Sequence, residues 1–291
     1  MPKILIIINP KSGKPNAKTK IYNACDIFCA HGYDLGVYFT QAKGDAFRYV
    51  KEHGNDFDIL LAVGGDGTIN EVTNAAMALE KRPQIAYFPS GTMNDFGSNF
   101  SLTGNYEDIA ERITAKNTRS FDLGYFDEER YFNYVAGFGA FTDVSYKTKR
   151  ESKEALGSLA YLLEGLGTIP NMKATHTKIR VGKKKEELDV LFGLVFSGNR
   201  VAGLELFNRK HAMNDGSLNI LLVEYAPNIF ETANYLALLS QTDNRYLHWF
   251  NGSDIEFSFE EDIMWTIDGE EHHGSDHAHI TVVKDALEML C

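Results

Sequence analysis

The chain has 291 residues, more than one hydrophobic core usually holds, which implies two domains or one large domain with a cleft. With 44% hydrophobic and 24% charged residues, the composition is that of a folded globular protein and excludes a disordered, collagenous or coiled-coil chain. A formal charge of −11 repels phosphate backbones, so broad nucleic-acid binding is not expected.

Up to about Asp122, short β-branched runs alternate with amphipathic segments of helical length. Strands are expected at 3–8, 36–40, 58–63 and 84–88, and helices at 18–31, 45–53 and 69–79. Cys25 and Cys29 lie one turn apart on the first helix, on a face expected to be buried. With Cys291 they form an odd set that is no disulfide framework. From about Tyr131 onward strands dominate, at 131–136, 176–181, 189–196, 218–223, 254–259, 264–268 and 279–283, with helices at 154–168 and 229–241. A short amphipathic segment at 285–290 closes the chain. The fold class is therefore α/β: a three-layer, Rossmann-like N-terminal domain at 1–127 and a mainly antiparallel β-sandwich at 128–283, with 284–291 packing back on the first. The longest apolar runs, 4–8 and 59–63, fall far below the roughly 18 residues of a membrane-spanning helix. No leader-like segment opens the chain, and a cytoplasmic protein is expected.

Chemistry concentrates in the loops after the first-half strands. Gly64-Gly65-Asp66-Gly67-Thr68-Ile69-Asn70-Glu71 follows one strand and opens a helix. Its glycines let a ligand approach the backbone, and the N–H groups of the helix start form an anion site suited to phosphate. Thr68 and Glu71 also have the spacing of a capping box. A carboxylate at Asp66 would be repelled by phosphate oxygens unless a cation or water intervened, which implies Mg²⁺ nearby. Asn9-Pro10-Lys11-Ser12-Gly13-Lys14 follows the first strand and Ser90-Gly91-Thr92-Met93-Asn94-Asp95-Phe96 the fourth. In a doubly wound sheet all three loops converge on one edge. Their spacing matches neither the dinucleotide nor the Walker pattern.

This set, followed by Asp215-Gly216 with Leu218 and by Asp268-Gly269-Glu270, resembles the diacylglycerol kinase catalytic-domain family of lipid kinases. That family includes sphingosine kinases and shares its nucleotide-binding fold with NAD kinases and phosphofructokinases. The resemblance implies an ATP site on Asn9, Pro10, Lys11, Ser12, Gly13, Thr40, Gly64, Gly65, Asp66, Gly67, Thr68, Ile69, Asn70, Glu71, Thr92 and Asn94. It implies an aspartate network for a water and the catalytic Mg²⁺ on Asp66, Asp95 and Asp122, a base at Glu270, and a second, structural Mg²⁺ on Ala212, Asp215 and Ser217. Two positions depart from the family pattern: Asn219 stands where an acidic residue is frequent, and Gly97-Ser98 where Ala-Arg is frequent.

The expected activity is ATP- and Mg²⁺-dependent transfer of a γ-phosphoryl group to a lipid hydroxyl, first of all that of diacylglycerol. A soluble acceptor, in the manner of NAD kinase, and a non-catalytic lipid-binding regulator are the alternatives. Cations cluster at Lys147, Lys149, Arg150 and Lys153, and again from Lys173 through Lys178 and Arg180 to Lys183, Lys184 and Lys185. They suit either a solvated hairpin or transient docking on an anionic inner membrane face. His272, His273, His277 and His279 crowd the stretch after Glu270, where a polar loop is favoured over a metal site. A homodimer is compatible with the chain.

Overall fold

The computed structural model describes residues 1–12, 17–102, 104–139, 174–201, 204–205, 212–225 and 245–291. The helices expected at 154–168 and 229–241 lie outside these residues, as do Gly13, Lys14, Lys147, Lys149, Arg150, Lys153 and Lys173. Among the described residues no helix is long and apolar enough to cross a membrane. Contacts divide the chain into two compact units, Met1–Phe121 with Asp285–Cys291, and Asp122–Lys284.

In the first unit, strands β1 (Lys3–Ile8), β2 (Asp34–Phe39), β3 (Ile59–Gly64) and β4 (Gln84–Pro89) alternate with helices α1 (Ala17–Ala30), α2 (Asp45–His53) and α3 (Asp66–Met77). The helices α4 (Asp95–Asn99) and α5 (Tyr106–Thr114) follow. The strands are parallel in the order β2-β1-β3-β4. Ile4, Leu5, Ile6 and Ile7 are buried without alternation, as are Ile59 through Val63, because helices cover both faces of a parallel sheet. From β1 the chain turns one way to β2 and the other way to β3. Right-handed crossovers then put α1 on one face, where it packs on α5, and α2 and α3 together on the other. The reversal of strand order at β1 and β3 places the loops leaving their carboxyl ends at the switch point of the sheet. On α1, Cys29 is exposed and Cys25 half-buried, which corrects the expected buried face: the helix turns Ala24 and Phe28 inward instead.

The second unit is mainly antiparallel. Its strands begin with the last residues of β5 (Thr118–Phe126) and continue through β6 (Arg130–Phe132), β7 (Val135–Gly139), β8 (Thr175–Val181) and β9 (Lys184–Phe196). A two-stranded piece follows, β10 (Arg200–Val201) with β11 (Leu204–Glu205), then β12 (Leu218–Glu224), β13 (Leu247–Gly252) and β14 (Asp254–Phe259). β15 (Met264–Ile267), β16 (Glu270–His273) and β17 (His277–Leu290) complete it. The long β9 serves two layers: its first half pairs with β8, its second with β7 and β12. A strand that changes partners in this way turns the corner of a sandwich. The layers enclose one core that contains Phe126, Phe138, Phe257, Phe259 and Trp265. The run expected as one strand at 131–136 is two, broken at Asn133 and Tyr134. Residues 285–290, the end of β17, belong to the first unit, within which Met289 pairs with Ile85 of β4.

Candidate nucleotide site and candidate base

The three glycine-bearing loops of the first unit are bound to one another. The Ser90 N–H donates to the Gly64 carbonyl at 2.8 Å, and Asn9 N–H to that of Val63 at 2.9 Å. Asn9 Nδ2 donates to Thr68 Oγ1 at 3.3 Å, and the Ser12 and Ser90 hydroxyls lie 2.9 Å apart. Residues 9–12 form a tight turn of their own, in which Asn9 Oδ1 accepts the Lys11 N–H and the Asn9 carbonyl accepts the Ser12 hydroxyl. A Cβ built on Gly91 would lie 2.7 Å from the Gly65 Cα, so the second and third loops touch backbone to backbone. Asn94, at φ 53, clamps Gly91 at two points, accepting its N–H at 2.8 Å and donating to its carbonyl at 2.7 Å. The Tyr87 hydroxyl reaches the Gly64 carbonyl at 3.1 Å and Asn94 Oδ1 at 3.3 Å. Burial, reinforced by the Asp66 charge, pushes that phenol well above its ordinary range and keeps it a donor.

Helix α3 begins at Asp66, and Gly65 at its N-cap has no side-chain hydrogen bond. A Cβ at Gly67 would meet nothing within 4 Å, so the first turn of α3 is open above its backbone. An anion is commonly held on the N–H groups of a first turn, although the Thr68 N–H of this one already donates to the Gly65 carbonyl at 2.9 Å. Exposed Thr92, Pro10 and Lys11 border the cradle, and Thr40, buried at the end of β2, hydrogen-bonds to the Ile8 carbonyl. Ile69 and Asn70 are buried, and the Ile69 N–H already donates to Gly65.

Two carboxylates of the loop do local work. Asp66 accepts the N–H groups of Asp95 and Phe96 at 3.3 and 3.2 Å, closing the start of α4. Glu71 does not close a capping box with Thr68. Its carboxylate accepts N–H groups of Gly44, Ala46 and Phe47, at 2.8, 3.0 and 3.4 Å, and so caps α2. The box fails because α3 starts before Thr68, which leaves Glu71 on the face packed against α2. Asp95 is buried at the first position of α4. The departure at Gly97 also has a local cause: a Cβ there would lie 2.9 Å from Pro89 and 3.0 Å from the Tyr87 ring.

In the second unit, buried Asp122 accepts the Gly216 N–H at 2.7 Å and donates its own N–H to the Met213 carbonyl. It thereby fixes the turn that carries the expected second metal site. There Asp215 Oδ1 accepts both the N–H and the hydroxyl of Ser217, and Asn251 Nδ2 lies 2.9 Å from Ser217 Oγ and 3.0 Å from Asn219 Oδ1. Asn219 in turn donates to the Gly198 carbonyl, so an amide network occupies the position where an acidic residue is frequent in the family. Ala212 is exposed beside this turn. Among the described residues no group of three or more His, Cys, Asp or Glu stands close enough to hold a metal alone. Mg²⁺ is usually held by one or two carboxylates with water and substrate phosphate, and so asks for no such group.

Glu270 opens β16 after the Asp268-Gly269 turn, and both residues of that turn have positive φ. Asp268 is buried and accepts the N–H groups of Asn133, Tyr134 and Val135 at 2.6, 3.1 and 3.0 Å. Glu270 Oε2 accepts from Arg130 Nη2 at 3.0 Å. The clustered histidines lie on β16 and β17 rather than in a loop, with His279 Nε2 2.8 Å from Asp254 Oδ1 and His272 edge-on to Phe126. Ser90, Tyr87, Arg130 and Asp268 were not among the expected site residues. Ser90 and Asp268 sit inside the motifs, whereas Tyr87 and Arg130 have no sequence signal.

Comparison with known proteins gives the family of the chain. The family model of the diacylglycerol kinase catalytic domain matches residues 3–126. A Bacillus subtilis diacylglycerol kinase is 28% identical over 100% of this chain and 99% of its own length. A Staphylococcus epidermidis diacylglycerol kinase is 31% identical over 91% of this chain and 84% of its own. The crystal structure of a Bacillus anthracis protein assigned as a diacylglycerol kinase superposes with a TM-score of 0.85 at 26% identity, covering 99% of this chain and 97% of that one. The chain belongs to the diacylglycerol kinase catalytic-domain family, and it is a kinase with an alcohol acceptor.

Proposed function

We propose that this lipid kinase transfers the γ-phosphoryl group of ATP to the free hydroxyl of diacylglycerol, giving phosphatidic acid. The observation that carries the reading is the cradle of Gly65, Gly67 and Gly91, open above the first turn of α3 at the switch point of a parallel sheet. The relatives' acceptor, as their names give it, favours diacylglycerol. The phosphates rest on the N–H groups at the start of α3, bordered by the Ser12 and Ser90 hydroxyls and by Lys11, while Asn9, Thr40 and Thr92 line the remainder of the nucleotide. Asp66, Asp95 and Asp122 would hold a Mg²⁺ that, when bound, would supply neutralisation of phosphate charge, with Ala212, Asp215 and Ser217 as the second position.

In the reaction the alcohol oxygen forms its bond to the γ-phosphorus as the bond to the ADP oxygen breaks, and the alcohol proton passes to Glu270. A free alcohol is far too weak an acid to yield its proton to a carboxylate beforehand, so the transfer accompanies bond formation. The side chains of Lys183, Lys184 and Lys185, at the turn between β8 and β9 and the start of β9, make no hydrogen bond or ion pair among the described residues. The neighbouring Lys178 and Arg180 are paired, with Glu187 and with Glu256 and Asp254. That tip meets anionic lipid transiently at the inner membrane face.

The acceptor is tested by incubating the protein with γ-labelled ATP and Mg²⁺ and, separately, diacylglycerol vesicles, a total lipid extract and NAD. The reading expects label in organic-soluble phosphatidic acid. Label only in NADP, or in no product, refutes it.

A further inference from the structure

The candidate base is held in place by a residue that no motif contains. Arg130 opens β6, and its guanidinium donates to Glu270 Oε2 across to β16, with both side chains about one-quarter exposed, at 25% and 24%. This ion pair is one of two ties. On the other side of Gly269, buried Asp268 takes the N–H groups of Asn133, Tyr134 and Val135. The turn that presents Glu270 is thus fastened to the segment 130–135 both before and after Gly269. The guanidinium is also felt on the same face of β16: burial first, then the Arg130 charge, depresses the imidazole of His272, two residues beyond Glu270. Asp127 and Glu129 on the adjoining turn act on His272 in the opposite direction.

A pair this exposed contributes little to stability. Its value lies in geometry, because the directed hydrogen bond from Arg130 Nη2 fixes where Glu270 Oε2 lies and so limits the rotamers of the carboxylate. We infer that Arg130 is a positioning residue for Glu270, holding the carboxylate where it meets the hydroxyl proton as the oxygen–phosphorus bond forms. The inference rests on the proposed role of Glu270 as proton acceptor. A base displaced by about 1 Å loses on the order of a hundredfold in rate.

The test is a double-mutant cycle on the full chain, with γ-labelled ATP and a short-chain diacylglycerol in detergent micelles. Arg130→Gln lowers kcat by about 10–100-fold while the ATP KM stays within about twofold. Arg130→Lys recovers part of that loss. In a Glu270→Gln background the Arg130→Gln change lowers kcat no further, because both substitutions remove one function. Wild-type kcat in Arg130→Gln beside an impaired Glu270→Gln overturns the inference alone, as do full additivity of the two changes or a rise confined to the ATP KM. Wild-type kcat in Glu270→Gln overturns the role of Glu270 and this inference with it. Melting curves accompany each variant, and Arg130→Met, of similar length, carries the same comparison where Arg130→Gln does not fold.

Discussion

Gly67→Ala separates two properties of the glycine turn that otherwise travel together. The position is exposed in the first turn of α3, is not among the glycines with positive φ, and offers a Cβ nothing within 4 Å. The fold has no steric reason to reject alanine there, and the loss of backbone freedom in the unfolded chain stabilises the protein by about 0.4–1 kcal/mol. The melting temperature should rise by roughly 1–4 °C. The same methyl, however, stands where phosphate would reach the backbone, and an overpacked contact of that kind costs about 1–3 kcal/mol. The ATP KM should rise by about 5–150-fold. Gly91→Ala is the counter-case: its Cβ would lie 2.7 Å from the Gly65 Cα and 3.0 Å from Asn94 Oδ1. Carbon atoms pack at about 3.5–4.0 Å, so the two loops must part by roughly 1 Å, lowering the melting temperature as well as nucleotide binding. Thermal melts with and without ATP, run beside initial rates, read both quantities. A raised melting temperature in Gly67→Ala with an unchanged ATP KM would refute the reasoning, because the ligand would then not approach the backbone at α3.

Three further outcomes follow from the contacts. Glu71→Ala leaves three N–H groups at the start of α2 without their acceptor and should cost about 1–2 kcal/mol in a thermal melt; an unchanged melt would contradict the capping role. His176 lies 2.8 Å from Asp189 and 2.9 Å from Glu187, and the bond to Asp189, then that to Glu187, raises its imidazole above the ordinary range, with Glu260 adding to the effect. The folded state holds that proton more tightly than the unfolded one, so the stabilisation is fully present below about pH 6.5 and is lost as pH rises through the folded-state value. His176→Gln should therefore lower the melting temperature at about pH 5.5 more than at about pH 9, and an equal effect at both would be evidence against it. Replacing Lys183, Lys184 and Lys185 by Gln removes about 1 kcal/mol of attraction per cation near an anionic surface. Binding to phosphatidylglycerol vesicles at low salt should fall accordingly, and unchanged binding would remove the membrane contact.

What the sequence discloses and what it hides divide along the range of the interaction. β1 is legible because burial on both faces demands an unbroken run of isoleucine and leucine, and β14 because its burial alternates with period two. The first half of β9 is not, since its Lys184–Glu187 stretch is exposed and holds no apolar residue. α5 carries the i, i+3, i+4, i+7 spacing in Tyr106, Ile109, Ala110 and Ile113, although the expected elements pass over it. α4, with five residues and a glycine in its middle, has no periodic signal at all. At the site, the convergence of the loops follows from strand order, which βαβ alternation implies. The spacing of Thr68 and Glu71 suggests the wrong helix for a cap, because the N–H groups that need a carboxylate stand on α2, more than twenty residues away. Arg130 and Glu270 are 140 residues apart, and only folding brings them together.

Glu270→Gln puts the central claim to the most direct trial when binding and transfer are measured on the same protein. Equilibrium binding of ATP should remain close to that of the native chain, while transfer of label to diacylglycerol falls by about 10²–10⁴-fold, the contribution of a positioned base. Transfer at the native rate by Glu270→Gln would contradict the account.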